Sequence, residues 1–434
     1  MPESQQPSII FIVVDDCGYA DLGCTGQTGY ATPELDKLAA EGMRFTQAYA
    51  NASLCTNTRV ALMTGRYQYR LPLGLVEPLR AAHRDLPDMG IPADFPTLPA
   101  LLRDVGYRTA LIGKWHLGYL PRYGPLRSGY DEFFGIMGGF TGYYTHRGDG
   151  GERDLYEGET PIERAGYVTD MLSERASAYA KAASANPKPY FLSLHYTAPH
   201  WPWSAPSNED AARARELDRN QLLVGGSIRI YAEMMQILDR GIGAVIDTVR
   251  QSGRNTLVIF TSDNGGERYS KIWPFVGRKF DLLEGGLRVP QIAWWPGRVP
   301  SGSVTDQVAI TMDLTATCLE AAGVAPDPRR PLDGESLLHL ITGNVSTWER
   351  TLYWRMANRR QRAVRQGDWK YLRVNGRELL FDLGFDARER DDHAARNPEH
   401  LGELRALWEK WNAEMLPIGD YEIPSVSGLT DMMW

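Results

Sequence analysis

Cysteine is scarce in this chain: 434 residues carry four, Cys17, Cys24, Cys55 and Cys318. They are too few for a disulfide scaffold and match no zinc-ligand spacing, so buried free thiols are expected for three of them. No apolar run approaches the ~20 residues needed to cross a bilayer, which points away from a membrane. The N-terminal stretch Met1-Pro2-Glu3-Ser4-Gln5-Gln6-Pro7 has neither a basic n-region nor an apolar h-region. As written the sequence reads as cytoplasmic, with a periplasmic or secreted protein as the alternative if a signal was removed. Positive charge is not in excess either. A formal net charge of −7 argues against a general nucleic-acid binder, whose affinity comes from neutralising phosphates. An anionic small substrate stays open, because a pocket answers to its local field. There is no internal repeat and no low-complexity tract.

What is present is a globular composition, 43% hydrophobic and 23% charged, in a chain long enough to bury a large core. Ile9-Ile10-Phe11-Ile12-Val13-Val14 is unbroken, β-branched and apolar, as a strand covered on both faces must be. Similar strands are predicted over 107–111, 190–196 and 256–261. Helices are predicted from Thr32-Pro33 to Gly42, from Thr97 to Gly106, from Gly166 to about Ala185 and from Ile228 to about Arg250. Strands alternating with helices predict an α/β layered sheet flanked by helices over residues 1–343. Beyond Gly343 the texture changes to short strands over 350–354, 362–365, 370–374 and 379–381. Asn375-Gly376 between the last two is a hairpin signal, and a helix follows from about Pro398 to Glu414. Residues 344–434 therefore read as a smaller antiparallel α+β C-terminal subdomain. The apolar tail from Leu416 to Trp434 fits either a second copy of the chain, making a homo-oligomer, or a return onto its own domain.

Several chemically distinctive groups follow strand ends, where ligands bind in sheets of this kind. Asp15-Asp16 closes the first strand and Asp263-Asn264 follows the strand at 256–261. Asp-Asp after a strand is also an ordinary turn or cap, but a second carboxylate–amide pair after a second strand makes a hard-oxygen metal set the better reading. Cys55-Thr56-Asn57-Thr58-Arg59 places a thiol at a loop-to-helix junction, where unpaired N–H groups and the helix dipole favour an anion. Gly113-Lys114-Trp115-His116, Ala198-Pro199-His200 and Lys279 complete the set. His195, inside an apolar strand, reads as a core histidine. Arg288 suits a turn as well as a substrate. The Gly- and aromatic-rich loop 138–146 is a candidate for lining the pocket, with a packed surface loop as the alternative, and the basic cluster Arg80, His83 and Arg84 is a candidate for meeting an anionic sugar, with a solvated face as the alternative. Of the twelve tryptophans, Trp201, Trp203, Trp294 and Trp295 could stack on a ring; most belong in the core.

In their order, these motifs, with Gly-Lys-Trp-His-Leu-Gly at 113–118 and Glu-Gly-Gly-Leu-Arg-Val-Pro at 284–290, make the chain resemble the sulfatase family of the alkaline-phosphatase-like superfamily. The resemblance implies an alkaline-phosphatase-like fold and a cysteine, here Cys55, oxidised to formylglycine (3-oxoalanine) by a maturation enzyme. It implies Ca²⁺, with Mg²⁺ as the alternative, held by Asp15, Asp16, Asp263, Asn264 and residue 55. It implies Arg59 holding the aldehyde hydrate, Asp263 taking the attacking hydroxyl's proton, and Lys114 and Lys279 on sulfate oxygens. His116 would accept a proton during sulfate expulsion and His200 would protonate the leaving alcohol. The family pattern is Cys-x-Pro-Ser-Arg or Cys-x-Ala-x-Arg; Asn57 and Thr58 depart from it. The expected function is a sulfatase acting on a sulfated saccharide or aryl sulfate. Alternatives are a phosphonate monoester hydrolase or phosphodiesterase of the same superfamily, and an inactive relative that binds sulfated ligands.

Overall fold

The computed structural model describes residues 6–418; the apolar tail beyond Ile418 lies outside the described residues. The strands that build the central sheet are β1 (Ser8–Val14), β2 (Met43–Phe45), β3 (Arg108–Lys114), β4 (Glu132–Ile136), β5 (Leu155–Glu157), β6 (Thr160–Pro161), β7 (Tyr190–His195), β8 (Thr256–Ser262), β9 (Gln291–Trp294) and β10 (Ser303–Thr305). Their order is β10-β2-β9-β8-β1-β7-β3-β4-β5-β6. The five central strands from β8 to β4 run parallel, and β9 and β5 flank them antiparallel.

β1 accounts for the layering. Ile10, Ile12 and Val14 enter a core shared with α1 (Pro33–Glu41), α3 (Val168–Ser184) and α4 (Ile228–Ser252), while α2 (Cys55–Thr64) lies on the other face. Ile9, Phe11 and Val13 enter the opposite core, with Val60, Leu62 and Met63 of α2 and Leu314 and Cys318 of α5 (Thr311–Ala321). The period of two thus sends alternate residues to opposite helix layers. Helix ends follow local chemistry. Thr97 Oγ1 accepts from Ala100 N at 3.3 Å and Ser227 Oγ from Ile230 N at 3.2 Å, and Gly253 ends α4 at φ 63°.

β3 runs three residues past the predicted end at Leu111. Ile112, Gly113 and Lys114 keep pairing with β4, and Gly113 is also aligned with His195. Gly113 takes φ 120°, and a Cβ there would stand 1.8 Å from the His195 carbonyl oxygen. Gly113→Ala is therefore expected to destabilise the fold by about 3 kcal/mol or more, read as a lowered urea midpoint.

The C-terminal sheet is a meander of β11 (Thr351–Met356), β12 (Gln361–Gln366), β13 (Trp369–Val374) and β14 (Arg377–Asp382). Asn375 and Gly376 take φ 49° and 89° and close the hairpin as the sequence predicts. α6 (Pro398–Asn412) covers this sheet through Leu401, Leu404 and Trp408. The sheet joins the larger one through a shared core and buried charges. Trp354 Nε1 donates to Ala50 O at 2.9 Å. Lys370 Nζ, with no exposed side-chain surface, sits 2.9 Å from Glu284 and 2.8 Å from Glu389. Arg288 pairs with Glu284 at 2.7 Å and donates to Thr46 O, so it braces this junction and does not line the pocket.

Candidate active site

Four neighbouring parallel strands, β8, β1, β7 and β3, deliver their C-terminal ends to one edge of the sheet. Asp15 and Asp16 follow β1, Asp263 and Asn264 follow β8, His200 lies five residues beyond β7, and Lys114 ends β3. α2 brings Cys55 to the same edge as its first residue, and no side chain caps that helix end. Its free N–H groups therefore face the cluster. Asp16 and His116 hold φ 66° and 58°, conformations that cost non-glycine residues on the order of 1–3 kcal/mol.

Charges interlock beneath that cavity. Arg59, fully buried, lays Nε and Nη2 against Asp263 Oδ2 at 3.0 and 2.9 Å. Lys114 Nζ is 2.5 Å from Asp15, Lys279 Nζ 2.8 Å from Asp16, and His200 Nε2 3.6 Å from Asp16. Burial, then the charge of Asp263, push the Asp15 carboxyl up to about 8 despite Lys114. Burial raises the Cys55 thiol, with Lys114 and Lys279 pulling the other way. Burial and Lys114 hold His116 well below the ordinary histidine range; burial and Lys279 do the same to His200.

The imidazoles are oriented by acceptors. His200 Nδ1 lies 2.5 Å from Trp201 O; a carbonyl can only accept, so Nδ1 carries the proton and Nε2 faces the cavity side at Asp16. His116 Nε2 is 2.8 Å from Leu79 O and 3.0 Å from Thr56 Oγ1. The same logic leaves its Nδ1, buried and without a hydrogen-bond partner, as an acceptor. Of Asn57 and Thr58, the departures from the family pattern, Asn57 donates from Nδ2 to Gly74 O at 2.9 Å but buries Oδ1 without a partner, and Thr58 Oγ1 bridges Ala52 N and O.

The donor set suits a divalent cation. Ligand atoms of Asp15, Asp263 and Cys55 lie within 4.8 Å of one another, as do those of Asp15, Asp16 and His200. Asp15 Oδ1 and Asn264 Oδ1 are buried without hydrogen-bond partners, an arrangement that a hard cation would satisfy.

Above the cluster opens a pocket of about 700 Å³ lined by Cys55, His116, His200 and Lys279 among others. All ten residues read from the sequence thus meet at one place: Cys55, His116, His200 and Lys279 line the pocket, and the other six are buried beside them. The 138–146 loop contributes Gly139 and Phe140 to the lining, and Trp201 joins them. Trp203, Trp294 and Trp295 pack inside: Trp203 meets Tyr269 edge to face, and Trp294 and Trp295 donate to Glu41 and Asn255. His195, read as a core histidine, is 3% exposed but touches the cluster: its Nδ1 stands 3.3 Å from Arg59 Nη1. Its position at the end of β7 was the available signal.

A family model described as Sulfatase matches residues 7–324, and one described as N-sulphoglucosamine sulphohydrolase, C-terminal, matches 274–410. N-acetylgalactosamine-6-sulfatase of Canis lupus familiaris is 34% identical over 376 residues, 81% of this chain and 69% of that protein. Arylsulfatase G of Mus musculus is 31% identical over 393 residues, covering 80% and 71%. Among solved structures, Ps i-CgsB superposes with TM-score 0.83 at 30% identity over 94% of this chain and 93% of its own. A second structure of that protein holds k-i-k-neocarrahexaose.

Proposed function

Because the chain belongs to the sulfatase family and is a sulfuric ester hydrolase, we propose that it hydrolyses a saccharide sulfate monoester, using residue 55 as formylglycine beside a divalent cation. The observation that carries this reading is the placement of Cys55 at the N-terminus of α2, between the three aspartates and the pair His116 and His200. The relatives act on or bind saccharides by their names, N-acetylgalactosamine-6-sulfatase and the neocarrahexaose complex, which supports a sugar substrate.

Asp15, Asp16, Asp263 and Asn264 would hold the cation, Ca²⁺ or Mg²⁺, which when bound polarises the sulfate and offsets its charge. Formylglycine, as its hydrate, supplies a hydroxyl nucleophile and a built-in route for releasing sulfate. The chain's own groups do the rest. Lys114 and Lys279 each spend one of three N–H donors on an aspartate and direct the others at sulfate oxygens. His200 Nε2, on the pocket side, must first take up a proton, making the ring an imidazolium, and then delivers that proton to the leaving alcohol, while the unprotonated His116 Nδ1 accepts one; such transfers are each worth ~10²–10⁴ in rate. Arg59 fixes Asp263 in place.

Mass spectrometry of the peptide spanning Cys55 tests the nucleophile. Matured protein should lose one sulfur and two hydrogens and gain one oxygen at that residue. A preparation that carries only thiol yet turns over sulfate esters would overturn the assignment. Chelation should abolish turnover of 4-nitrophenyl sulfate, with recovery on adding Ca²⁺ or Mg²⁺; full activity after exhaustive chelation would remove the cation. An aryl phosphonate ester as preferred substrate would favour the phosphonate hydrolase alternative.

A further inference from the structure

Resting on that sulfatase reading, we infer that Arg80 and Asp149 form a donor–acceptor pair selecting the substrate by the hydroxyls of its sulfated sugar ring, which stacks on Phe140 and Trp201. The basic cluster seen in the sequence does not act as one surface. Arg84 is paired with Glu152 at 3.1 Å and lies over the Tyr119 ring. His83, 8% exposed, accepts the Arg80 backbone N–H on Nδ1 at 2.9 Å. Burial and the charge of Arg80 keep it below its ordinary pKa. Of the three, only Arg80 lines the pocket.

Asp149 lines the same pocket and is tied to the same turn, with Oδ2 3.4 Å from Ala81 N. The charges of Arg80 and Asp149 act on His83 in opposite directions. Wall charges of both signs offer little net attraction to a second anionic group. They do match hydroxyls, which donate and accept at once, whereas a guanidinium only donates and a carboxylate only accepts.

The aromatic groups supply the other half. Phe140 and Trp201 have ring centroids 4.3 Å apart at 45°, and Phe140 stacks parallel to His200 at 6.3 Å. The aromatic face therefore stands beside the imidazole assigned to the leaving oxygen, so the group covering it is the leaving alcohol. A pyranose presents an apolar C–H face and a hydroxylated rim, the two surfaces this pocket provides. A flat aryl alcohol uses only the first.

The experiment uses the matured full-length chain, 4-nitrophenyl sulfate, and a panel of galactose and N-acetylgalactosamine monosulfates covering each ring position. For the best sugar, the ratio of its kcat/KM to that of 4-nitrophenyl sulfate should fall by about 10–100-fold in Arg80→Ala and in Asp149→Asn, the loss expected for a hydrogen bond to a charged group. Calorimetric binding of that sugar to Cys55→Ala should weaken similarly when Arg80→Ala is added, which reads the pair without turnover. An unchanged ratio and unchanged binding would overturn the pair, as would turnover of the aryl ester with none of the panel sugars. Absence of turnover of every sulfate ester, aryl and sugar alike, in matured protein would overturn the sulfatase reading itself, and the selection argument with it. Tighter binding of a disulfated sugar than of any monosulfate, lost with Arg80→Ala, would assign Arg80 to an anion and also overturn the hydroxyl pair.

Discussion

Cys55→Ala is expected to lower kcat/KM for 4-nitrophenyl sulfate by about 10⁴-fold or more. No serine or threonine stands among the described lining residues of the pocket, and the phenol of Tyr119, which does line it, has its oxygen buried, so no lining hydroxyl is placed to replace residue 55. What remains in the variant are Lys114, Lys279, His116 and His200, which position a sulfate ester and move protons but form no bond to sulfur. Groups that act as a unit lose most of their effect when one is missing. The fold should tolerate the change: the residue is 2% exposed, and deleting a single sulfur costs about 1 kcal/mol, or about 1 °C in Tm for a chain of this size. Kinetics together with a thermal scan check both halves. Turnover near the wild-type rate would assign the attack to another group.

Arg59→Ala should instead damage the fold. Its guanidinium has no exposed surface and serves Asp263 twice, the Lys114 carbonyl at 3.2 Å and His195 at 3.3 Å. Removing it leaves a buried carboxylate without its principal partner, a loss of about 3–5 kcal/mol against a total stability on the order of 5–15 kcal/mol. Urea unfolding of the chelated protein measures it, since a bound cation would partly replace the missing charge. Arg59→Lys keeps the charge but lacks the planar fork, so it should recover part of the stability and little of the activity. A change within about 1 kcal/mol for alanine would mean that Asp263 is neutral in the fold.

The central strands were legible because burial on both faces leaves an unbroken apolar run, as in β1 and β8. α5 was not legible for the same physical reason. Every one of its residues except Glu320 is buried, so it has no polar face and no 3.6-residue period to detect. The end of β3 was missed because Gly-Lys does not look like strand; only the pairing of Gly113 between neighbours makes it one. In the site, strand ends and Cys55 could be found from motifs, whereas Arg80 and Asp149 are joined only by the path of the 138–154 loop. That path is set by Asp154, whose carboxylate accepts from Met137 N and Gly138 N, a contact no local pattern announces.

The ion pairs around Glu284 bear on how the chain is made. Synthesis proceeds from the N-terminus at roughly 5–20 residues per second, and Glu284 emerges well before Lys370 and Glu389. Until those partners leave the ribosome, the segment that follows Lys279 contains a carboxylate whose enclosing ammonium does not yet exist. The nascent protein can lay down its central sheet early, but the junction between its two sheets gains its buried ammonium only once Lys370 has followed.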